Sequence, residues 1–244
     1  MTKFVDLHLC VPLWDIEQSK KMIAKSAELG YRLLAVPFPP SVKREEVGRV
    51  QKICDDIDID LSTRVNLALR STRELLSSLR SFRRRFEVVS VLCTSKPVAR
   101  QAAKDRRVDL LAFPIAETRR TFFDGAEAEL ASESLAALEI DMTQLLSFEG
   151  FQRTRLIPIL RREVAIAQHF GVHIVLSSGA VSEHLLRKPK DYASLAMLFD
   201  MDSSLALRAL SDTPLNIVER NRQKLSPNFV APGIRIVRRR DRSV

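Results

Sequence analysis

Cysteine is scarce in this chain, and its spacing excludes one class of protein. Only Cys10, Cys54 and Cys93 occur, an odd number, far apart and without a Cys-x-x-Cys pair. This argues against a disulfide framework and fits a reducing compartment. Glycine is also rare, with seven in 244 residues. These are too scattered for a phosphate cradle, and neither a Walker loop nor a Gly-x-Ser-x-Gly nucleophile elbow is present. Aromatics are limited to 12 Phe, 2 Tyr and 1 Trp. No RNA-binding aromatic motif is found among them, so shape and backbone recognition are expected before base stacking. No run of about 18 apolar residues exists, so no spanning helix is expected. Asp6 and His8 interrupt the first apolar run, no leader is expected, and the chain reads as soluble and cytoplasmic. No Pro/Gly/Ser-rich linker and no fixed-period repeat divides it.

What the chain does have is basic charge and short apolar strands. Its net charge of +9 favours polyanionic partners. From Glu219 to Val244, eight Lys/Arg stand against two acids, so +6 of the excess lies there. With 45% hydrophobic residues, the chain can bury a substantial core.

Strand-like runs are Lys3–Leu9, Arg32–Pro37, Asp60–Leu67, Glu87–Cys93, Asp109–Phe113, Ala137–Met142 and Val172–Leu176. Most are rich in Val, Ile and Leu, as buried parallel strands are. Helical patterns alternate with them. Asp15 is placed to cap a helix ending at Gly30, with Ile16, Ile23 and Ala27 on one face. Ser71-x-x-Glu74 is a capping box for a helix running into Arg83-Arg84-Arg85. Glu45–Ile53, Pro97–Arg106 and Thr154–Phe170 continue the alternation, and Ala116–Ala126 is its least regular connection. Repeated βα units imply a parallel sheet with right-handed crossovers, and seven or eight of them close into a barrel. No clear eighth strand follows residue 180. The expected fold is therefore α/β: a single-domain, distorted TIM-like barrel of about seven parallel strands, with helices covering the closing seam. The barrel domain is expected over residues 1–230 and a basic tail over 231–244.

Alternation places Asp6 and His8 on one face of the first strand. It groups Ser62, Arg64 and Asn66 on the third, and Glu139 and Asp141 on the sixth. If those faces point inward, they converge near the upper end of the barrel, where such folds hold their active sites. One reading is an Asp/His/Glu metal site that activates water. The other is a self-satisfied network in which Arg64 pairs with the acids. The network is expected, because catalytic zinc wants about three close, open ligands and Cys10 stands at the place of a second histidine. Ser177-Ser178-Gly179 either binds a phosphate through N–H groups and hydroxyls or makes only a tight exit turn. His169 and His173 lie at the foot of the seventh strand, the wrong end for chemistry, and His184 alone is weak. Lys43, Arg44, Arg64, Arg70, Arg73, Arg119, Arg120, Arg153, Arg155 and Arg187 fall in or near the upper connections. There they suit a phosphate backbone, or they are solvated surface charge. Arg83–Arg85, Arg106-Arg107 and Arg161-Arg162 lie on or beside helices, where solvated charge is the stronger reading.

Several segments together resemble one family, the barrel-like protein component 3 of archaeal ribonuclease P. They are Phe4-Val5-Asp6-Leu7-His8, Leu29-Gly30-Tyr31, Asp109–Phe113, Leu138-Glu139-Ile140, Ile174–Ala180, Leu186-Arg187-Lys188-Pro189, Ala209-Leu210-Ser211 and Ile217–Arg222. The resemblance implies a role in removing the 5′ leader of precursor tRNA. It implies that the RNA subunit carries the chemistry and binds magnesium, so no catalytic residue, metal or cofactor is expected in this chain. It implies as partners the ribonuclease P RNA, a protein subunit that pairs with it as a heterotetramer, and precursor tRNA indirectly, with no membrane. Candidate RNA contacts are Lys43, Arg44, Arg64, Arg70, Arg119, Arg120, Arg155, Ser177, Ser178 and Arg187. The fold is also related to the polymerase-and-histidinol-phosphatase (PHP) metal hydrolases, which open with an Asp-x-His-x-His-like strand. Here Asp6-Leu7-His8-Leu9-Cys10 lacks the last histidine. The alternative reading is a stand-alone metal-dependent PHP-type phosphoesterase using Asp6, His8, Glu139 and Asp141.

Overall fold

The apolar runs form seven parallel strands: β1 (Phe4–Asp6), β2 (Tyr31–Pro37), β3 (Asp60–Ala68), β4 (Val88–Leu92), β5 (Leu110–Ala112), β6 (Ala137–Asp141) and β7 (Ile174–Ser177). They are hydrogen-bonded in sequence order, each to the next. The computed structural model describes residues 2–113, 123–231 and 234–235. Between the strands run α1 (Ile16–Glu28), α2 (Arg44–Ile57), α3 (Thr72–Phe82), α4 (Lys96–Lys104), α5 (Gly125–Ser134), α6 (Met142–Ser147) and α7 (Gly150–His169). After β7 come α8 (Pro189–Ala196), α9 (Ser203–Ala209) and α10 (Asp212–Leu225).

Period-2 alternation sorts the strand residues into two layers. Leu34, Val36, Val65, Val89, Val91, Leu111 and Leu138 belong to the larger core that includes the helices. Val5, Leu7, Leu33, Ala35, Val88, Leu110, Ala137 and Val175 fill the barrel interior. Ile217 and Val218 of α10 enter that inner layer from below. Burying an aliphatic side chain of this size contributes about 1.5–3 kcal/mol, so these two residues anchor α10 as a floor.

The closing seam is only partly zipped. A single parallel bridge joins Leu9 to Ala180, and the Cys10 N–H donates to the Ala180 carbonyl at 3.0 Å. Lower down, the β1 edge turns to a helix end, and the Val5 N–H donates to Leu210 O at 2.9 Å. Helices therefore cover the seam, as expected.

Local caps follow the sequence with small departures. Asp15 Oδ1 accepts from the Gln18 N–H and opens α1. Ser71 Oγ accepts from the Glu74 N–H, but the Glu74 carboxylate takes the N–H of Arg70 instead of that of Ser71. Ile16 does not share the buried face of Ile23; it is 46% exposed, because it sits in the first turn. The first strand is shorter than expected, ending at Asp6 where the chain bends at Leu7. An antiparallel pair, β8 (Phe229–Ala231) with β9 (Ile234–Arg235), spans residue 230, where the barrel domain was expected to end.

Candidate functional site

The barrel mouth is organised by Arg64, which points inward from β3 and is 1% exposed. Its two terminal nitrogens donate to the two Glu139 oxygens, one of them at 2.6 Å. It also donates to Leu7 O at 2.7 Å, and its Nε donates to Asn66 Oδ1 at 2.6 Å. Ser177 Oγ and Ser90 Oγ give Glu139 two more donors, at 2.7 and 3.1 Å. Burial pushes the Glu139 carboxyl up, but the Arg64 charge and hydrogen bonds outweigh it and hold it at about 2. This buried charge is fully paired.

His8 hangs over the same mouth. Its Nδ1 lies 2.9 and 3.0 Å from the two oxygens of Asp141, and its Nε2 lies 3.1 Å from Asn66 Nδ2. Arginine only donates, so Asn66 must turn its oxygen to Arg64 and its NH₂ to His8. His8 Nε2 then accepts, which assigns the ring proton to Nδ1, donated to Asp141. Burial and the Arg64 charge oppose an imidazolium, but the charge and hydrogen bond of Asp141, with a hydrogen bond to Cys10, outweigh them and push the ring up to about 10. The Asn66 amide opposes that second proton, because it would set one N–H against another.

Asp6 stands apart from this group. The bend at Leu7 breaks the alternation that put Asp6 and His8 in one row. Asp6 Oδ1 instead accepts from the N–H of Ser178 at 2.9 Å and of His8 at 3.1 Å. Its other oxygen has no hydrogen-bond partner among the described residues, and burial pushes the carboxyl up against the Ser178 bonds.

Ligand atoms of His8, Glu139 and Asp141 lie within 4.8 Å of one another. The trio does not fit a divalent ion. Four hydrogen bonds already fill the Glu139 oxygens, two of them from the Arg64 guanidinium, whose charge a second cation would oppose. Asp141 holds the remaining ligand, His8, through Nδ1. Beside the mouth, a cavity of about 80 Å³ is lined by Glu139, Asp141, Gln144 and Glu163 among others. Burial pushes the Glu163 carboxyl up to about 7, although the Phe123 N–H donates to it.

Three candidate RNA contacts are enclosed in this geometry. Arg64 is enclosed and paired. Ser177 is fully buried with its hydroxyl on Glu139, and Ser178 is 1% exposed with its hydroxyl on His8 O. Ser177 ends β7, and Ser178 and Gly179 lead the chain out of it. Gly179 has φ +60°, and a Cβ there would meet Asp141 at 3.0 Å. Lys43, Arg44, Arg70 and Arg155 are exposed, with Arg155 5.5 Å over the ring of Phe151. Arg187 is half-buried and donates to His184 O and Leu186 O. Arg119 and Arg120 lie outside the described residues. His169, His173 and His184 are all exposed.

Sequence reasoning missed the floor. Arg222 donates to both oxygens of Asp60, at 2.8 and 2.9 Å, and to Glu87 at 3.0 Å. Asn221 Nδ2 donates to Glu87 O and Asp109 Oδ1, both at 2.8 Å, and Arg220 and Arg83 also reach Asp109. A signal was available: an acid opens each of the runs beginning at Asp60, Glu87 and Asp109.

Comparison with known proteins places this architecture. The model of the family described as RNase P subunit p30 matches residues 3–226. The chain is 28% identical to the ribonuclease P protein component 3 of Methanothermobacter thermautotrophicus, over 97% of this chain and 96% of that one. It is 31% identical to the protein of that name from Methanosarcina barkeri, over 73% and 74% of the two chains. A chain in the cryo-EM structure of archaeal ribonuclease P with mature tRNA superposes with a TM-score of 0.83 at 20% identity. That match covers 96% of this chain and 98% of that one.

Proposed function

The chain belongs to the RNase P subunit p30 family, and from that premise we propose that it acts as a non-catalytic scaffold in the ribonuclease P holoenzyme. There it supports removal of the 5′ leader from precursor tRNA. It contacts the RNA subunit through exposed basic side chains such as Lys43, Arg44, Arg70 and Arg155, and docks on a second protein subunit. The chemistry belongs to magnesium held by the RNA. The observation that carries the scaffold role is the Arg64–Glu139 pair at the mouth. Arg64 bonds a carboxylate and two further acceptors and is 1% exposed, where a hydrolase of this fold needs open ligands. The relative solved with mature tRNA supports the assembly by its overall likeness.

The test is precursor-tRNA cleavage at limiting magnesium by the cognate RNA and all protein subunits, with and without this chain. Loss of cleavage on omission, with none by the chain alone, is expected. Unchanged cleavage on omission overturns the reading. The close spacing of His8, Glu139 and Asp141 is the one observation on the side of a second reading, a metal-dependent phosphoesterase, and the filled Glu139 oxygens stand against it. Stoichiometric zinc, manganese or iron in the purified chain, with phosphodiesterase activity, would establish that one instead.

A further inference from the structure

The barrel's stagger brings distant arginines together on its flank. The last residue of β2, Pro37, pairs with Arg64 in the middle of β3, and Arg64 pairs with Val88 at the start of β4. Strand shear thus sets the top of one βα unit level with the bottom of the unit after the next strand. The first turn of α2 therefore comes beside the chain that leaves α3. Between them lies a groove of about 350 Å³, lined by Val42, Arg44, Val47, Thr63, Arg84, Arg85 and Phe86.

The charge of that groove has one sign. Glu45 and Glu46 lie in the same helical turn as Arg44 but do not line it. Among the described residues, no carboxylate pairs with Arg44, Arg84 or Arg85. Their neighbour Arg83 is built into the fold, donating to Asp109, Arg107 O, Phe86 O and Glu87 O. Arg84 and Arg85 are left facing outward and exposed. Arg85 lies 5.8 and 5.6 Å over the rings of Phe82 and Phe86, which steadies its guanidinium at the groove. Val42, Val47 and Phe86 give the groove an apolar side.

We propose that the α2–α3 groove binds the sugar–phosphate backbone of RNA, with Arg44, Arg84 and Arg85 on phosphate oxygens and the ribose against Val42 and Val47. Three forked cations with no acid among the lining residues match a row of phosphates. An acidic protein segment lacks the regular spacing and is the alternative the test excludes. The proposal rests on the reading that the chain works within a ribonucleoprotein. It moves one RNA contact away from the mouth, where Arg64, Ser177 and Ser178 are enclosed.

The experiment measures RNA affinity of the full protein assembly against salt, with wild-type chain and with an Arg44→Glu/Arg84→Glu variant. That variant keeps the ring contacts of Arg85, and its melting temperature is checked first. Each lost phosphate contact lowers the slope of log K against log salt by about 0.7–0.9, so a drop of about 1.5 or more is expected. The Arg44→Lys/Arg84→Lys variant should keep most of the slope. Unchanged slope in the Glu variant overturns the groove while leaving the scaffold reading intact. Salt-insensitive binding by the wild-type assembly overturns both. Loss of protein–protein association with the RNA slope preserved would assign the groove to an acidic protein partner and overturn the RNA proposal.

Discussion

Arg64 and Glu139 face each other across the barrel interior as a two-pronged ion pair, with side chains 1% and 0% exposed. Removing one partner strands the other. Arg64→Leu should cost about 3–5 kcal/mol of unfolding free energy, because it leaves a buried carboxylate unpaired. Arg64→Leu combined with Glu139→Leu should recover at least half of that loss. Urea unfolding reads both, and a single-mutant cost below about 1 kcal/mol would mean that the pair is not enclosed as described.

The floor bonds differ in burial, and their costs should rank accordingly. Asn221 is 1% exposed and holds Glu87 O and Asp109. Asn221→Ala should cost about 1–3 kcal/mol, since buried acceptors lose their donor. The Arg222 side chain is 34% exposed although it donates to Asp60, Glu87 and Leu61 O, and water screens it. Arg222→Ala should cost about 1 kcal/mol or less. A reversed order in thermal melts would contradict the floor described above.

Two buried carboxyls give opposite pH dependences. Glu163 binds its proton up to about pH 7 when folded but only to about 4.5 when unfolded. The unfolded chain therefore releases that proton first, and stability falls as pH rises from about 4.5 to 7, by on the order of 3 kcal/mol. Glu163→Gln should flatten that slope. Glu139, held at about 2, contributes stability above about pH 4.5 that is lost as pH falls toward 2. Urea midpoints across this range separate the two. A slope unchanged by Glu163→Gln would place the titration elsewhere.

Asn66 should govern the proton count on His8. With the amide in place, nitrogen NMR should find the ring proton on Nδ1 at neutral pH. Asn66→Leu removes the opposing NH₂ and should raise the imidazole pKa. An identical titration in both proteins would show that Asp141 alone sets the protonation state.

The barrel and its mouth were legible in the sequence to different depths. Seven Val/Ile/Leu runs fixed strand number and order, because buried parallel strands need little else. The inward row Ser62, Arg64 and Asn66 followed from period 2, and so did the pairing of Arg64 with an acid. Periodicity fails where a strand stops early. The bend at Leu7 separated Asp6 from His8, and nothing in the local run announces it. The enclosed positions of Ser177 and Ser178 depend on contacts to Glu139 and His8, which a motif cannot supply. The groove at Arg44 and Arg84 depends on strand shear, a global quantity that local patterns do not encode.

The order of synthesis has a consequence for the floor. The residues that close the barrel from below, Ile217 to Arg222, leave the ribosome after all seven strands. Until they emerge, Asp60 lacks Arg222, Asp109 lacks Arg220 and Asn221, and the inner apolar layer stands open at one end. The nascent chain thus holds seven strands that cannot yet be sealed. Productive folding of this barrel waits for α10, so a protein lacking only that helix loses far more than its length suggests.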